Sequence, residues 1–341
     1  QAGGGNSSVK FDDGTMAIKA SGFSLSDVGF KSGYAVVKND AILKIFEASE
    51  IISQQDKNKR DETIKLMVEE ANLTKNIRPS IEVFLHAVLA KYTLHTHCIA
   101  ANNILCSLNW QKIISDIFVG ENFITIPYHA PGIALAVAMQ EKVQEFYRQN
   151  KKLPEIVFMQ NHGIIISKNY ADAVVATTDY VVKKIENYLK VDYDDYKATN
   201  KLSALINQIN NTNFISYLSE DKTINEMLIK SLEIFKQSPT CPDVLVFCGV
   251  IPCHINGLQD QEAIINFNTK YHQSPKVVIC DEKIFFIAKN IAKAKEVEEV
   301  FKFHLLVLKN IIGGKNFLSE VEISYLLNWE AEKFRQNLNK S

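Results

Sequence analysis

The sequence predicts an α/β protein: a sheet flanked by helices over residues 1–195 and a smaller α/β unit over residues 196–341. Three observations predict it. From Gly3 to about residue 190, short β-branched runs alternate with segments whose apolar residues recur at helical spacing. Residues 190 to 240 are polar and rich in Asn, Asp and Lys, the composition of a linking stretch. Beyond them a second strand, helix, hairpin and helix pattern begins.

In order along the first unit, Val9–Phe11 and Thr15–Lys19 read as strands about the turn Asp13-Gly14. Asp40 is suited to cap a helix reaching about Ile52, and Pro79 to open another from Ser80 to about Lys91. Leu94–Ala100 reads as a buried strand and Pro131–Gln149 as a helix. Ile156–Ser167 reads as strand, His-Gly corner and strand, and Asp172–Leu189 as an amphipathic helix carrying Val174, Thr178, Val181, Ile185 and Tyr188 on one side.

In the second unit, Asp243–Val250 reads as a strand, Asp260–Tyr271 as a helix, and Lys276–Cys280 with Ile284–Ala288 as a hairpin. Lys293–Ile312 reads as a long helix stopped by Gly313-Gly314, and Ser319 with Glu322 as a capping box. No internal repeat stands out.

Thirty-eight basic residues against 39 acidic ones leave a net charge of -1, which supplies no field for nucleic acid or an anionic membrane. The longest uncharged stretches are broken by His, Asn, Gln and Pro, so no transmembrane segment is expected. Cys98, Cys106, Cys241, Cys248, Cys253 and Cys280 form no C-x-x-C pair; reduced thiols in a cytoplasm are expected. The chain opens at Gln1 and enters a glycine run at once, so a native N-terminal segment is expected to precede it.

His95-Thr96-His97 is the sharpest chemical feature. Side chains two apart on a strand project from one face, so both imidazoles can reach one cation. His162, at the break between two apolar strands, supplies a third ligand, and three imidazoles with an open position make a catalytic rather than a structural zinc arrangement. Cys98 points to the other strand face and is assigned to the core. Glu82 stands near a helix start, where a carboxylate serves as a cap or as a chemical group, and sequence alone favours the cap. His86, four residues on, can orient Glu82 or pack into the core, and the core role is favoured. His254 and His272 read as ordinary packing or surface residues. Gly5-Asn6, Ser21-Gly22 and Ser80 offer amides and hydroxyls to an anion, each unremarkable alone.

Taken in order, Gly3-Gly4-Gly5-Asn6-Ser7-Ser8-Val9-Lys10, Ser21-Gly22, Arg78-Pro79-Ser80-Ile81-Glu82, His95-Thr96-His97, Pro127-Tyr128 and Asn161-His162-Gly163 resemble the class II aldolase/adducin family over roughly residues 1–190. The resemblance implies a central antiparallel sheet flanked by helices and a divalent metal, Zn2+ in members of the family. By residue it implies His95, His97 and His162 as metal ligands and Glu82 as the acid/base that exchanges with substrate at the metal. It also implies Gly5, Asn6, Ser21, Gly22 and Ser80 as phosphate-binding positions, and Tyr128 as a residue that reaches a neighbouring subunit's site, hence a homo-oligomer.

Ile81 departs from the pattern, standing where fuculose-phosphate aldolases have a second serine. Ser80-Ile81-Glu82 and Leu94-His95-Thr96-His97 look more like the aldolase half of bifunctional rhamnulose-1-phosphate aldolase/dehydrogenases, and the C-terminal unit, ending in Leu327-Asn328-Trp329-Glu330, is similar to their middle region. No G-x-G-x-x-G is present and no nicotinamide chemistry is expected. The implied activity is cleavage of a ketose 1-phosphate into dihydroxyacetone phosphate and an aldehyde. Pentulose-phosphate 4-epimerase activity and a non-catalytic adducin-like interaction module are the alternatives.

Overall fold

The computed structural model describes residues 4–328. Gly3, at the head of the glycine run, and Trp329-Glu330, at the end of the last motif, lie outside the described residues. The chain divides into two compact units, Gln1–Asp192 and Tyr193–Ser341, against an expected division after residue 195.

In the first unit β1 (Asn6–Lys10) and β2 (Thr15–Lys19) form an antiparallel hairpin about Asp13-Gly14. Gly14 takes φ +82°, open to glycine, and the Asp13 carboxylate accepts from the Thr15 amide at 2.9 Å. β3 (Tyr34–Lys38) pairs with β2. The cap assigned to Asp40 does not form, because α1 (Asn39–Ile45) grows directly from the end of β3 and leaves Asp40 inside its first turn. That helix stops at Ile45; a separate turn, α2 (Ser49–Ile52), follows.

α3 (Lys57–Ala71) went unread in the sequence because its composition is mostly charged and only Ile64 and Ala71 are buried. Asp56 caps it, accepting from the Asn58 and Lys59 amides at 3.1 and 3.2 Å. Pro79 starts no helix either. It makes an isolated bridge with Ala20, and the Ser80 amide donates to Lys19 O at 3.2 Å, so this segment extends the sheet. The helix, α4 (Val83–Ala87), begins later and is buried along its length.

The strand expected over Leu94–Ala100 is shorter: β4 (Tyr92–Thr96) ends before the two helices α5 (Ile99–Leu105) and α6 (Trp110–Ile117). Then come β5 (Phe123–Ile126), α7 (Ile133–Asn150), β6 (Ile156–Met159), β7 (Gly163–Lys168) and α8 (Ala171–Leu189). The strand order is β3-β2-β1-β4-β7-β6-β5, antiparallel except for the β5–β6 pair, whose parallel run is bridged by α7. One face is covered by α1, α3, α4 and α7. α8 packs on β4 and β7 with Val174, Val181 and Ile185 inside and Tyr188 exposed. With both faces covered, β6 and most of β7 become continuous apolar runs.

The second unit starts with α9 (Asp194–Asn210) and β8 (Ile215–Leu218), a strand hidden in the polar stretch. α10 (Lys222–Lys230) and α11 (Pro242–Cys248) follow. The predicted strand at Asp243–Val250 is thus a helix. Its short apolar run fits either element, and Pro242 at the first turn with Val244, Leu245 and Cys248 buried decides for helix. After β9 (Cys253–Ile255) come α12 (Gln261–Tyr271), β10 (Val277–Cys280), β11 (Lys283–Ala288), α13 (Ile291–Asn310) and α14 (Glu320–Asn328). The Ser319 box forms, with the Ser319 amide donating to Glu322 at 2.8 Å and the Glu322 amide returning at 3.3 Å.

This sheet runs β8-β11-β10-β9, with β9 and β10 parallel and the other neighbours antiparallel. α10, α11 and α13 cover one face, and α9 and α12 the other. Its strand order and directions repeat those of β4-β7-β6-β5, an internal repeat that the sequence does not display. All six cysteines are unpaired, and no helix among the described residues is long and apolar enough to cross a membrane.

Candidate metal centre and active site

The central position of β4 assembles the site. His95 lies opposite Asn6 of β1 on one side and Ile165 of β7 on the other. It is fully buried, and its Nδ1 stands 2.9 Å from Ile164 O. A carbonyl only accepts, so Nδ1 carries the proton and the lone pair of Nε2 faces inward, the tautomer that a metal ligand needs. His97, one residue past the end of β4, brings its Nε2 within 2.8 Å of His95 Nε2.

His162 comes from the turn between β6 and β7. Asn161 adopts φ +53° there and its amide donates to Leu105 O at 3.2 Å, while Asn102 donates to His162 O at 3.2 Å. α5 therefore fixes the turn. The three rings stand 4.7, 5.0 and 4.9 Å apart between centroids, each edge-on to its neighbours.

Glu82 completes the group from the N-terminus of α4. It occupies the cap position but makes no capping bond; its Oε1 lies 2.9 Å from His162 Nε2 and 3.6 Å from His95 Nε2, and its Oε2 accepts from Asn6 Nδ2. The cap reading that sequence favoured is overturned by these contacts. Burial works to raise the Glu82 pKa, but the His162 and His95 rings beside it outweigh that and hold the carboxyl well below the ordinary range. The group is an anion at neutral pH. Burial, reinforced by His95 and His162, lowers His97 to about 4 and keeps it neutral.

Ligand atoms of Glu82, His95, His97 and His162 all lie within 4.8 Å of one another. Three imidazoles converging with one carboxylate form a donor set that could hold a divalent metal ion, and the His95 tautomer fits that use. Cys98 is no part of this group: it stands beyond β4 at the cap of α5, half-buried.

The anion-binding candidates are only partly brought together. Ser21 and Ser80 line one cavity of about 330 Å3, with Lys65, Arg78 and the apolar Phe84 and Ile133. The register around Ala20 and Pro79 holds them there, the Ser21 amide donating to Arg78 O at 2.9 Å. Gly5 and Gly22 sit at positive φ, +77° and +86°. Asn6 is spent in part on Glu82, leaving one amide hydrogen for another acceptor. Tyr128 is 58% exposed, with its amide donating to Gln160 at 3.0 Å. His86 does not touch Glu82. It is sealed in the core with Nδ1 2.8 Å from Ser8 Oγ, and burial lowers it to about 3.

Two residues escaped the sequence reading. Lys19, at the end of β2, is buried, which lowers its pKa against the opposing attraction of Glu82, and its amine donates to Phe23 O at 2.6 Å. A lysine closing an apolar strand two residues before Ser21-Gly22 was the available signal. Gly163 was noted only as a corner. A Cβ there would drive into Thr96 O and meet His97 Cδ2 at 3.0 Å, so β7 approaches Thr96 and His97 only because this residue has no side chain.

These features can be set beside known proteins. The uncharacterized oxidoreductase YuxG of Bacillus subtilis (strain 168) is 29% identical over 196 residues, 55% of this chain, and the chain spans 26% of that relative's length. The N-terminal class II aldolase domain of a conserved protein from Thermoplasma acidophilum is 24% identical, with a TM-score of 0.45 over 55% of this chain and 84% of that one. A sugar-phosphate aldolase from Thermotoga maritima is 14% identical, with a TM-score of 0.39 over 56% and 86% of the two chains. Residues 1–189, which hold every strand of the larger sheet and all four members of the metal group, match the family described as Class II Aldolase and Adducin N-terminal domain, and the chain belongs to that family.

Proposed function

We propose that this protein is a metal-dependent sugar-phosphate aldolase that cleaves a ketose 1-phosphate into dihydroxyacetone phosphate and an aldehyde. The observation that carries the reading is the buried Glu82 carboxylate held against His95 and His162 in a group of four ligand-type side chains. A divalent cation held there by His95, His97 and His162 supplies Lewis acidity towards the substrate's carbonyl and hydroxyl oxygens.

The chain's own residues do the rest. Glu82, ionised and poised by Asn6, accepts the proton that the substrate hydroxyl gives up as it becomes the aldehyde carbonyl, and delivers a proton to the carbon left by the cleaved bond. Ser21 and Ser80 offer hydroxyls to the phosphate, and Lys19, two residues before Ser21, is the cation we assign to it in place of the second serine lost at Ile81. Tyr128, exposed on the described surface, is the residue we assign to the site of a neighbouring copy, where its hydroxyl hydrogen-bonds the oxygen of the departing aldehyde. The fit to part of a longer relative named an oxidoreductase supports reading residues 1–192 as the aldolase portion of a bifunctional protein.

The test is product analysis on Zn2+-reconstituted protein with a panel of ketulose 1-phosphates. Free aldehyde and dihydroxyacetone phosphate are expected, with Glu82→Gln slowing release by about 10²- to 10⁴-fold while metal content is kept. An epimerised pentulose phosphate without free aldehyde would replace the aldolase by the 4-epimerase. Absence of both metal binding and turnover would leave the interaction module.

A further inference from the structure

We infer that the second unit is a structural copy of the metal-bearing half of the first, with the ligand positions vacated, so that metal chemistry is confined to one centre per chain. The inference deepens the aldolase reading and rests on it for the identity of the first-unit centre.

The copy extends through a whole run of elements. Strand, crossover helix, parallel strand, tight turn, antiparallel strand and helix run as β5-α7-β6-β7-α8 in one unit and as β9-α12-β10-β11-α13 in the other. The strand ahead of each run, β4 or β8, inserts antiparallel beside β7 or β11. The two hairpins agree in strand length, with four residues in β6 and β10 and six in β7 and β11, while the crossover helix is shorter in the second unit, 11 residues in α12 against 18 in α7. One backbone bond recurs at the same place, Ser167 N to Glu155 O at 2.9 Å and Ile287 N to Lys276 O at 2.8 Å. Lys168-Asn169-Tyr170-Ala171 and Lys289-Asn290-Ile291-Ala292 lead into the two final helices. The faces match as well, since each crossover helix covers one side and each final helix the other.

Register then locates the missing ligands. His95 lies opposite the third residue of β7, Ile165; its counterpart opposite the third residue of β11, Phe285, is Leu218. Leu218 packs into the apolar layer of α9 and α12. Two residues on, Glu220 stands where His97 does. The turn that carries His162 is one residue shorter in the copy, Asp281-Glu282 between Cys280 and Lys283, and His162 has no counterpart.

The polar groups at this end of β8 are satisfied within the unit. Ser219 Oγ donates to Glu298 at 2.6 Å, and Asp221 pairs with Lys302 at 2.6 Å while capping α10. Where β1 pairs with β4 and brings in Asn6, α9 covers β8 instead, with Ser203 Oγ accepting from the Ser216 amide at 2.9 Å. Among the described residues the copy therefore keeps the sheet and its helices, and the positions matching His95, His97 and His162 carry no imidazole.

Co2+ titration of the full chain, followed by absorption and by metal analysis after desalting, tests this. One equivalent is expected in the unsubstituted protein and none in the double variant His95→Ala with His97→Ala, whose fold is checked by circular dichroism. A second equivalent, or one retained in the double variant, overturns the inference and leaves the first-unit centre standing. No binding in the unsubstituted protein removes the metal from the proposed function while still finding the second unit empty, as inferred. Should the double variant fail to fold, Glu220→Gln with Glu282→Gln replaces it. That pair is expected to leave stoichiometry at one, and any loss of bound metal overturns the inference.

Discussion

Gly163→Ala is a severe test of how the site is built, because it adds one methyl group and removes no ligand. The new Cβ would lie inside hard contact with Thr96 O and 3.0 Å from His97 Cδ2, where van der Waals contact needs about 3.5 Å. Thr96 belongs to the β4–β7 ladder through its pairing with Ile164, so backbone must yield. Parting the strands or turning His97 by about 0.5 to 1 Å is incompatible with imidazole–metal bonds near 2.0 Å. Overpacking of this kind costs about 1–3 kcal/mol of stability, and displacing a ligand support costs roughly 10- to 100-fold in metal affinity. Zn2+ affinity from chelator competition, together with urea unfolding, reads both effects. A variant that binds Zn2+ as tightly as the parent would refute the claim that close approach of β7 to His97 sets the centre.

Three further outcomes are expected. Asp56→Ala removes the cap of α3 and lowers stability by about 1 kcal/mol in urea unfolding, with Zn2+ stoichiometry unchanged. Burial lowers His304 to about 4, so the unfolded chain gains a proton between pH 6.5 and 4 that the folded chain refuses. Its stabilising contribution is full above pH 6.5 and is lost as pH falls through that window. Between pH 7 and 5 the parent should lose on the order of 2 kcal/mol more than His304→Leu, and equal losses would contradict the shift. Lys19→Met should weaken inhibition by inorganic phosphate about 10-fold or more, as expected for losing a charged hydrogen bond; an unaltered inhibition constant would assign Lys19 to the fold alone.

Much of the first unit was legible because its signals are local. The Asp13-Gly14 hairpin, the Ile156–Ser167 strand pair and the spacing within α8 each declare themselves over a few residues. α3 was not, because a helix held by two buried residues and a cap has little apolar period to read. The run at Asp243–Val250 misled for the opposite reason: everything in it is apolar, and both elements fit. In the site, His95, His97 and His162 could be grouped from alternation and the corner at Asn161, whereas Glu82 read as a cap because its partners are 13 and 80 residues further along.

The amino-acid order by itself determined the α/β class, the strongly periodic helices and strands, and which side chains could hold a metal, since these follow from periodicity, turn chemistry and donor type. Tertiary structure decided what those residues touch. Strand order set β4 between β1 and β7, which turned Glu82 from a cap into a partner of two histidines and made Gly163 a steric requirement. It also exposed the second unit as a repeat, because strand order and register persist where few side chains are shared. Pairing depends on backbone hydrogen bonds that every residue except proline can both give and accept, so dissimilar sequences can take up one topology.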